Sequence, residues 1–572
     1  MKGPRIVYIN EESDCTTLNT SHKRVKIAFF GILTLLVILV LRIFDLSIFS
    51  FSEFQYRKSS DSENITVRKD ITDRNGIILA STLPTASAYI YPKHFIATDQ
   101  SFGLIAENFD IDIKELKKRV ANNKHFVWLK RHLTPKEQQK LHNLGILGVY
   151  FMKDQKRIYP HKNLFSHIVG LVDIDNHGIS GLESSFNLHL HNETKQPLQT
   201  TLDAKVQYIV KQELKNTIHK HNAVGGAAIV MDVHTGELLS SISLPDFNPY
   251  SIDATNPDTL FNRSTLGTYE MGSVLKSLTL AIAIDSQKID IDDSFDVSTP
   301  IKINKYQIKD YIRGKGDILS VPEVLMYSSN IGVTKMIQEV GIPKQKEYFK
   351  KLGLLSKIKA EVPEVSNSIY PSDYKWRELN SITMSYGHGI SMTPIHFIQA
   401  FSAMVNGGIF KKATLIKGEN DKISGKRVLI QQTSFLMNKI LRLTAEIGSA
   451  KHANLNEYLI GAKTGTAEKI INGKYSKKLN IALCAAAFPM NDPKYAILIL
   501  IDEPERNEIN RGFATGGMVA APAIPTIVSR IAPILNVAPV DHRDPKIIKA
   551  LYINHKPIYR GYASAKRKRE GK

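Results

Sequence analysis

Cysteine is nearly absent. The two in 572 residues, Cys15 and Cys484, lie 469 positions apart and form no CxxC, which excludes a disulfide framework and a Cys-rich metal site and leaves thiol chemistry without a basis. Metal-binding spacing is missing as well: no HExxH or comparable pattern gathers the 18 histidines, so no metal is expected. Glycine and proline are too sparse, at 34 and 24 residues, for a collagen-like or disordered chain. From Ser52 to about Leu198 the chain is polar and interrupted and shows no repeat of about 20–50 residues. Acid is short relative to base, 55 Asp and Glu against 75 Lys and Arg, for a net charge of +20. Such an excess suggests nucleic acid, anionic lipid or an acidic polymer as partner. Its distribution matters more: between Asp541 and Lys572 ten bases face three acids, so +7 of the charge sits in a tail ending AKRKREGK, expected to be a solvated end. With 43% hydrophobic and 23% charged residues, the chain can bury a sizeable core, and its length suggests about three to four domains or one large domain plus smaller ones.

A long apolar run lies near the N-terminus. Ile27 to Leu41 reads IAFFGILTLLVILVL, fifteen residues that span only about 22 Å as a helix. Continued through Arg42 and Asp45 to Phe49, it is long enough to cross a bilayer if Arg42 snorkels and Asp45 reaches the far interface. Lys23, Arg24 and Lys26 precede it, which places the N-terminus in the cytosol and the rest of the chain outside. A cleaved signal peptide ending near Ser50 or Ser52 fits less well, because bulky residues separate Leu41 from that site. The expected organisation is a cytosolic tail at 1–26, a single transmembrane anchor at 27–49, a non-catalytic α+β module at 50–200, a mixed α/β domain at 201–540 and the basic tail at 541–572.

The boundary near 200 precedes LDAKVQYIVKQELKNTI, whose Val206, Ile209, Val210 and Leu214 fall at helical spacing. GGAAIVMDVHTGELLSSISL then reads as a hairpin of buried strands. Ile481 to Pro489 and Tyr495 to Pro504 bracket an Asn-Asp-Pro turn and predict two more strands, followed by a terminal helix in PAIPTIVSRIAPIL. Between the strand sets, from about Thr265 to Gly408, most segments are helical.

Nucleophile patterns stand in contrasting contexts. Ser273 and Lys276 form Ser-x-x-Lys at the opening of an almost wholly apolar helix, whereas Ser356 and Lys359, in LLSKIK, read as surface loop. Residues three apart share a helix face, which brings the Lys276 amine within reach of the Ser273 hydroxyl. Burial and the helix N-terminus both disfavour charge on that amine, so Lys276 reads as a neutral base able to take the hydroxyl proton. Glu270 and Asp285 are the acids close to it in sequence, and neither lies on the apolar stretch. Ser328-Ser329-Asn330 follows 55 residues after Ser273 between helices, and Lys463-Thr464-Gly465 lies 133 residues after Asn330, expected just before the sheet strands. Each triplet alone is weak, and their order and context carry the weight. Gly267 to Gly272 lacks the Lys-Ser/Thr of a phosphate loop, and GISG at Gly178 is no nucleophile elbow.

With these motifs the chain resembles the class B penicillin-binding proteins, monofunctional peptidoglycan D,D-transpeptidases, over nearly its whole length. RKDITDRNGIILA, RIYPHKNLFSHIVGLVDIDNHGISGLESSFNLHL, SYGHGISMTPIHFIQAFSAMVNGG and TGGMVAAPAI are similar to the family pattern, and KTGTAEK and TGGMVAAP are most similar to the division (septal) type. Met271 where the family often has Pro, Asp70 where Gly is common and His388 within YGHGI are departures that remove no reacting group. The resemblance implies a transmembrane helix, an α+β pedestal and a penicillin-binding domain with an antiparallel sheet and a helical subdomain, anchored in the bacterial inner membrane with the catalytic domain outside. It implies that Ser273 attacks the penultimate D-alanine of a stem peptide, with Lys276 as base, Ser328 relaying a proton and Asn330 donating to substrate backbone. Lys463 would supply a cationic field for the terminal carboxylate, Thr464 and Thr466 would bond it, and Gly465 would admit the substrate backbone. The N–H groups of Ser273 and Thr466 would form the oxyanion hole. No cofactor is implied. The implied partners are stem peptides, β-lactams, the inner membrane, a polytopic glycan polymerase and other division proteins. Nucleic acid is not among them, since the positive charge lies outside the cytosol. His388 reads as a satisfied structural histidine, because Lys276 already fills the base's place. The alternatives are an elongation-type transpeptidase, a D,D-carboxypeptidase and a β-lactam-sensing protein.

Overall fold

The computed structural model describes residues 26–27, 29–40 and 67–555, apart from short stretches at 110, 193, 253–255, 304–305, 312–315, 359, 419–424, 472 and 554. It divides into a unit Met1–Ile65 and a unit Thr66–Lys572. In the first, residues 29–40 are helical and exposed on every side. Among the described residues no helix is long and apolar enough to cross a membrane. Residues 41–49, which the expected anchor needs for its length, lie outside the described residues, as do most of the expected cytosolic tail and the end of the basic tail.

The second unit opens with β1 (Ile71–Thr72) and β2 (Ile78–Ile90), paired antiparallel. Asp73 closes the turn between them by accepting from the N–H of Asn75 and of Ile77 at 2.7 and 2.8 Å, an arrangement that Asp favours in turns. After α1 (Asp99–Phe109) and α2 (Ile113–Asn122) come β3 (Val127–Leu133), α3 (Pro135–Asn143), β4 (Val149–Ile158) and β5 (Leu198–Gln199). The sheet runs β3-β2-β1-β5, with β4 also on β2. Ala88, Ile90, Phe102, Ile105, Leu116 and Leu133 form a local core.

The base of this part is held by buried charge. Arg68 and Arg157 each place Nε 2.7 Å from a different oxygen of Glu183, all three side chains being at most 1% exposed. Arg68 also donates to the Glu183 carbonyl, the Asn187 side chain and the Asn176 carbonyl. A buried ion set of this kind persists because its donors are met on several sides.

The remainder runs through α4 (Ala204–Lys220), β6 (Gly225–Asp232), β7 (Leu238–Leu244), β8 (Tyr269–Glu270), α5 (Leu275–Asp285), α6 (Asn330–Val340) and β9 (Ser391–Met392). It closes with α7 (Pro394–Val405), α8 (Gln431–Glu446), β10 (Gly461–Ile471), β11 (Lys474–Phe488), β12 (Tyr495–Asp502) and α9 (Ala523–Ile531). The sheet order is β10-β11-β12-β6-β7, every neighbouring pair antiparallel. Successive strand residues face opposite sides: Ala228, Val230, Cys484 and Ile499 pack with α4 and α9, whereas Ala227, Ile229, Leu483 and Leu498 pack with the helical segments that include α5 and α7. Because both faces are covered, β7 is buried along its whole length, and its sequence reads as a run instead of an alternation.

The expected hairpin, the strands at Tyr495 and Ile481, the terminal helix and the helical middle all form. Two local expectations change. Lys463-Thr464-Gly465 lies inside β10, not before the strands. Ser273 sits in a 3₁₀ turn, Gly272–Val274, and the α-helix proper starts at Leu275.

Replacing Glu183 by Ala leaves two buried guanidinium groups without their carboxylate, which is expected to destabilise the protein by about 3–5 kcal/mol. Denaturant unfolding of the full chain in detergent, beside a variant at exposed Glu115, checks this. A loss equal to that of the surface variant would contradict the assignment.

Candidate active site

Strand β10 is an edge of its sheet, and the turn carrying Ser273 lies directly on it. A Cβ on Gly465 would meet the Met271 carbonyl oxygen at 2.8 Å and the Val274 nitrogen at 3.0 Å, and one on Gly272 would meet the Thr466 carbonyl oxygen at 2.7 Å. Gly272 has φ of +51°, where a side chain is strained. On the far side a Cβ on Gly516 would stand 2.2 Å from the Gly465 carbonyl oxygen, and the Gly516 N–H donates to Thr466 Oγ1 at 3.0 Å. Backbone thus lies on backbone where Ser273 is presented. Its side chain is partly buried, and no hydrogen bond of its hydroxyl is found among the described residues.

Apolar α5 carries Lys276 into the interior at 1% exposure. The amine meets the Ser328 carbonyl at 2.6 Å, Asn330 Oδ1 at 2.6 Å and Ser328 Oγ at 3.2 Å. Asn330 Nδ2 donates to the Lys309 carbonyl at 2.8 Å, which fixes the amide so that its oxygen faces the lysine. These bonds fix the amine beside Ser328 and Asn330. Glu270 and Asp285, the acids nearest in sequence, are engaged elsewhere: Asp285 accepts from the Tyr348 hydroxyl and the Ile430 N–H, both at 2.7 Å.

Ser328 stands between two lysines. Lys463, fully buried, donates to Ser328 Oγ at 3.0 Å and to the Thr464 carbonyl at 2.8 Å. Burial lowers its pKa to about 7, because an ammonium loses its hydration there. Ser328 holds φ of +57°, a conformation that costs a β-carbon-bearing residue about 1–3 kcal/mol and gathers at functional sites. Its hydroxyl has a single hydrogen to exchange between the two amines.

Several supports had no sequence signal. Asp310 caps α6, accepting from the Asn330 and Ile331 N–H groups at 2.5 and 3.0 Å and from Ser329 Oγ at 2.6 Å. Glu270, 6% exposed, accepts from the Gly389 N–H at 2.7 Å, His388 Nδ1 at 2.9 Å and the Tyr475 hydroxyl at 2.9 Å. These partners lie far apart in sequence, and a loop reading has no period to reveal them. The structure therefore brings Ser273, Lys276, Ser328, Asn330, Lys463, Gly465 and Thr466 to one place. Thr464 is beside them, its hydroxyl turned to the Ser449 carbonyl at 3.4 Å. Ser356 lies apart in its loop, its carbonyl accepting from buried His396 at 3.0 Å, and Lys359 is outside the described residues.

Residues 226–529 match the penicillin binding protein transpeptidase domain, and residues 66–222 the penicillin-binding protein dimerisation domain. The chain is 33% identical over 484 residues to the probable peptidoglycan D,D-transpeptidase FtsI of Caulobacter vibrioides, covering 82% of each. It is 26% identical over 509 residues to the peptidoglycan D,D-transpeptidase FtsI of Escherichia coli K12, covering 83% of this chain and 84% of that one. Penicillin binding protein 3 of Mycobacterium tuberculosis, solved with aztreonam, has a similar fold, with a TM-score of 0.65 at 22% identity over 83% of this chain and 97% of that one.

The lowered pKa of Lys463 makes a signed prediction. Between its folded value of about 7 and the ordinary 10.5, the unfolded chain binds a proton that the folded chain does not, so stability rises with pH across that window. The stability of wild type relative to Lys463→Met is expected to increase by up to about 1.4 kcal/mol per pH unit there. Denaturant unfolding of both proteins at several pH values measures it, and a difference independent of pH would show Lys463 to be charged in the fold.

Proposed function

Because the chain belongs to the penicillin-binding protein transpeptidase family, we propose that it is a peptidoglycan D,D-transpeptidase that cross-links stem peptides through a serine acyl-enzyme, in septal wall synthesis, and is a target of β-lactams. The observation that carries the reading is the sharing of Ser328 by Lys276 and Lys463 beside the turn that presents Ser273. The relatives' names support the reaction class.

The geometry supports the following chemistry. Ser273 Oγ attacks the carbonyl of the penultimate D-alanine while its proton passes to the lone pair of Lys276. The N–H groups of Ser273 and Thr466 stabilise the oxyanion. Ser328 moves a proton toward the leaving nitrogen of D-alanine, and Lys463 can resupply it, since an amine with a pKa of about 7 exchanges protons readily near neutrality. A bound substrate carboxylate favours the charged form of Lys463, which reconciles its lowered pKa with a cationic role; Thr464 and Thr466 bond that carboxylate. Asn330 holds Lys276 and donates to substrate backbone, which adds along the β10 edge where Gly465 leaves room. An amine of a second stem peptide then takes the acyl group.

Around this centre the reading assigns 50–200 as pedestal, 201–540 as transpeptidase domain and 27–49 as a single anchor with the catalytic domain outside the inner membrane. A glycan polymerase and other division proteins would act beside it.

Intact mass and peptide mapping after exposure to benzylpenicillin are expected to place one adduct on Ser273. None should form on Ser273→Ala, and an adduct elsewhere would refute the assignment. Lys276→Arg keeps charge but cannot lose its proton near neutral pH, so it should slow acylation at least about 10²-fold, about 2.7 kcal/mol in the barrier, with the circular dichroism unchanged. Near wild-type acylation would move the base to another residue.

A further inference from the structure

His388 has no task in the chemistry above, yet its surroundings are those of an oriented base. Nδ1 lies 2.9 Å from Glu270 Oε2, and since an ionised carboxylate only accepts, that nitrogen carries a hydrogen. In the neutral ring the lone pair then sits on Nε2, for which no partner is found among the described residues. The His388 side chain is 28% exposed, that of Glu270 only 5%. The second oxygen of Glu270 is fixed by the Gly389 N–H and the Tyr475 hydroxyl, so the carboxylate cannot turn away. Tyr386 and Tyr475 flank the ring edgewise, with centroids 5.7 and 5.8 Å away.

The loop carrying His388 also touches the nucleophile turn. The Gly387 carbonyl accepts the Gly272 N–H at 3.1 Å, and a Cβ on Gly387 would stand 2.0 Å from the Gly272 carbonyl oxygen. His388 is thus one residue from a backbone contact with the neighbour of Ser273. The second half-reaction has a need that the first does not. An aliphatic amine with an ordinary pKa of about 10 arrives as ammonium near neutrality, without a lone pair to attack an ester. Lys276 and Lys463 are both buried and bonded through Ser328, so neither meets an incoming cation first.

We propose that His388, oriented by Glu270, takes a proton from the acceptor ammonium before it attacks the Ser273 ester; this rests on the transpeptidase reading. One N–H proton passes to Nε2, and the electron pair left on nitrogen forms the new amide bond. The bond from the acyl carbon to Ser273 Oγ breaks, and a second N–H proton returns through Lys276 to restore the hydroxyl. The imidazolium loses its proton to solvent at its exposed edge. The ionisable groups facing the ring are Glu270, Tyr386 and Tyr475, with Tyr311 and Glu468 acting on the two phenols. Burial raises both phenols, so they stay neutral at the pH of the assay.

The test measures the two half-reactions separately on the full chain in detergent, with an acyl-D-alanyl thioester as donor and D-alanine as acceptor amine. For His388→Gln the ratio of aminolysis rate to acylation rate is expected to fall at least tenfold near pH 7. The deficit should shrink as pH rises toward the acceptor's own pKa, where free amine is supplied by solution. His388→Tyr, which can keep a hydroxyl bond to Glu270 but is no base at that pH, is expected to show the same loss and guards against misfolding of the first variant. A ratio equal to wild type in either folded variant, or a deficit that does not shrink with pH, overturns the proposal. Failure of the wild-type chain to form an acyl-enzyme at all would instead sink the transpeptidase reading.

Discussion

An amine taken out of water loses several kcal/mol of hydration unless other acceptors replace the solvent, and the catalytic half of this protein buries two such amines against one serine. Lys276 and Lys463 reach Ser328 from different elements, α5 and β10. Their replacement acceptors are the Ser328 and Thr464 carbonyls and the Asn330 amide oxygen. The rest of the site follows from keeping these acceptors in place. Asp310 fixes the start of α6, the Lys309 carbonyl fixes the Asn330 amide, and the left-handed backbone of Ser328 is held between them.

The same burial requires that Ser273 be brought to the amines by backbone packing. Gly272, Gly465 and Gly516 remove the side chains that would separate the turn from the strand and the strand from the 515–517 segment. Met271 is wholly buried and leaves this contact intact, because its carbonyl and not its side chain faces Gly465. Gly387 extends the contact to the loop that Glu270 holds. A substitution at any of these glycines therefore acts on the candidate site through main chain, with no change in its polar residues themselves.

The N-terminal part uses charge differently. Glu183 lies between two buried arginines; there the ion set joins segments 26, 89 and 115 residues apart. Asp73 adds a tie by accepting from the Ala204 N–H at the start of α4, so the β1–β2 turn is linked to that helix.

The sequence alone determined what depends on local chemistry and periodicity. Val206, Ile209, Val210 and Leu214 marked a helix, the buried runs at Gly225 and Tyr495 marked strands, and the apolar stretch after Ser273 implied a buried lysine. The order of three short motifs pointed to the candidate residues that the fold brings together. What it left open depended on partners distant in the chain. Which acceptors hold Lys276, that Lys463 rather than an exposed residue shares Ser328, that Lys-Thr-Gly runs inside an edge strand, and that Glu270 binds His388 and Tyr475 are settled by tertiary contacts spanning about 50 to 205 residues. Hydrogen bonds to loop backbone have no period, and desolvation is a property of what surrounds a group, so the lowered pKa of Lys463 and the orientation of His388 exist only once the chain has folded.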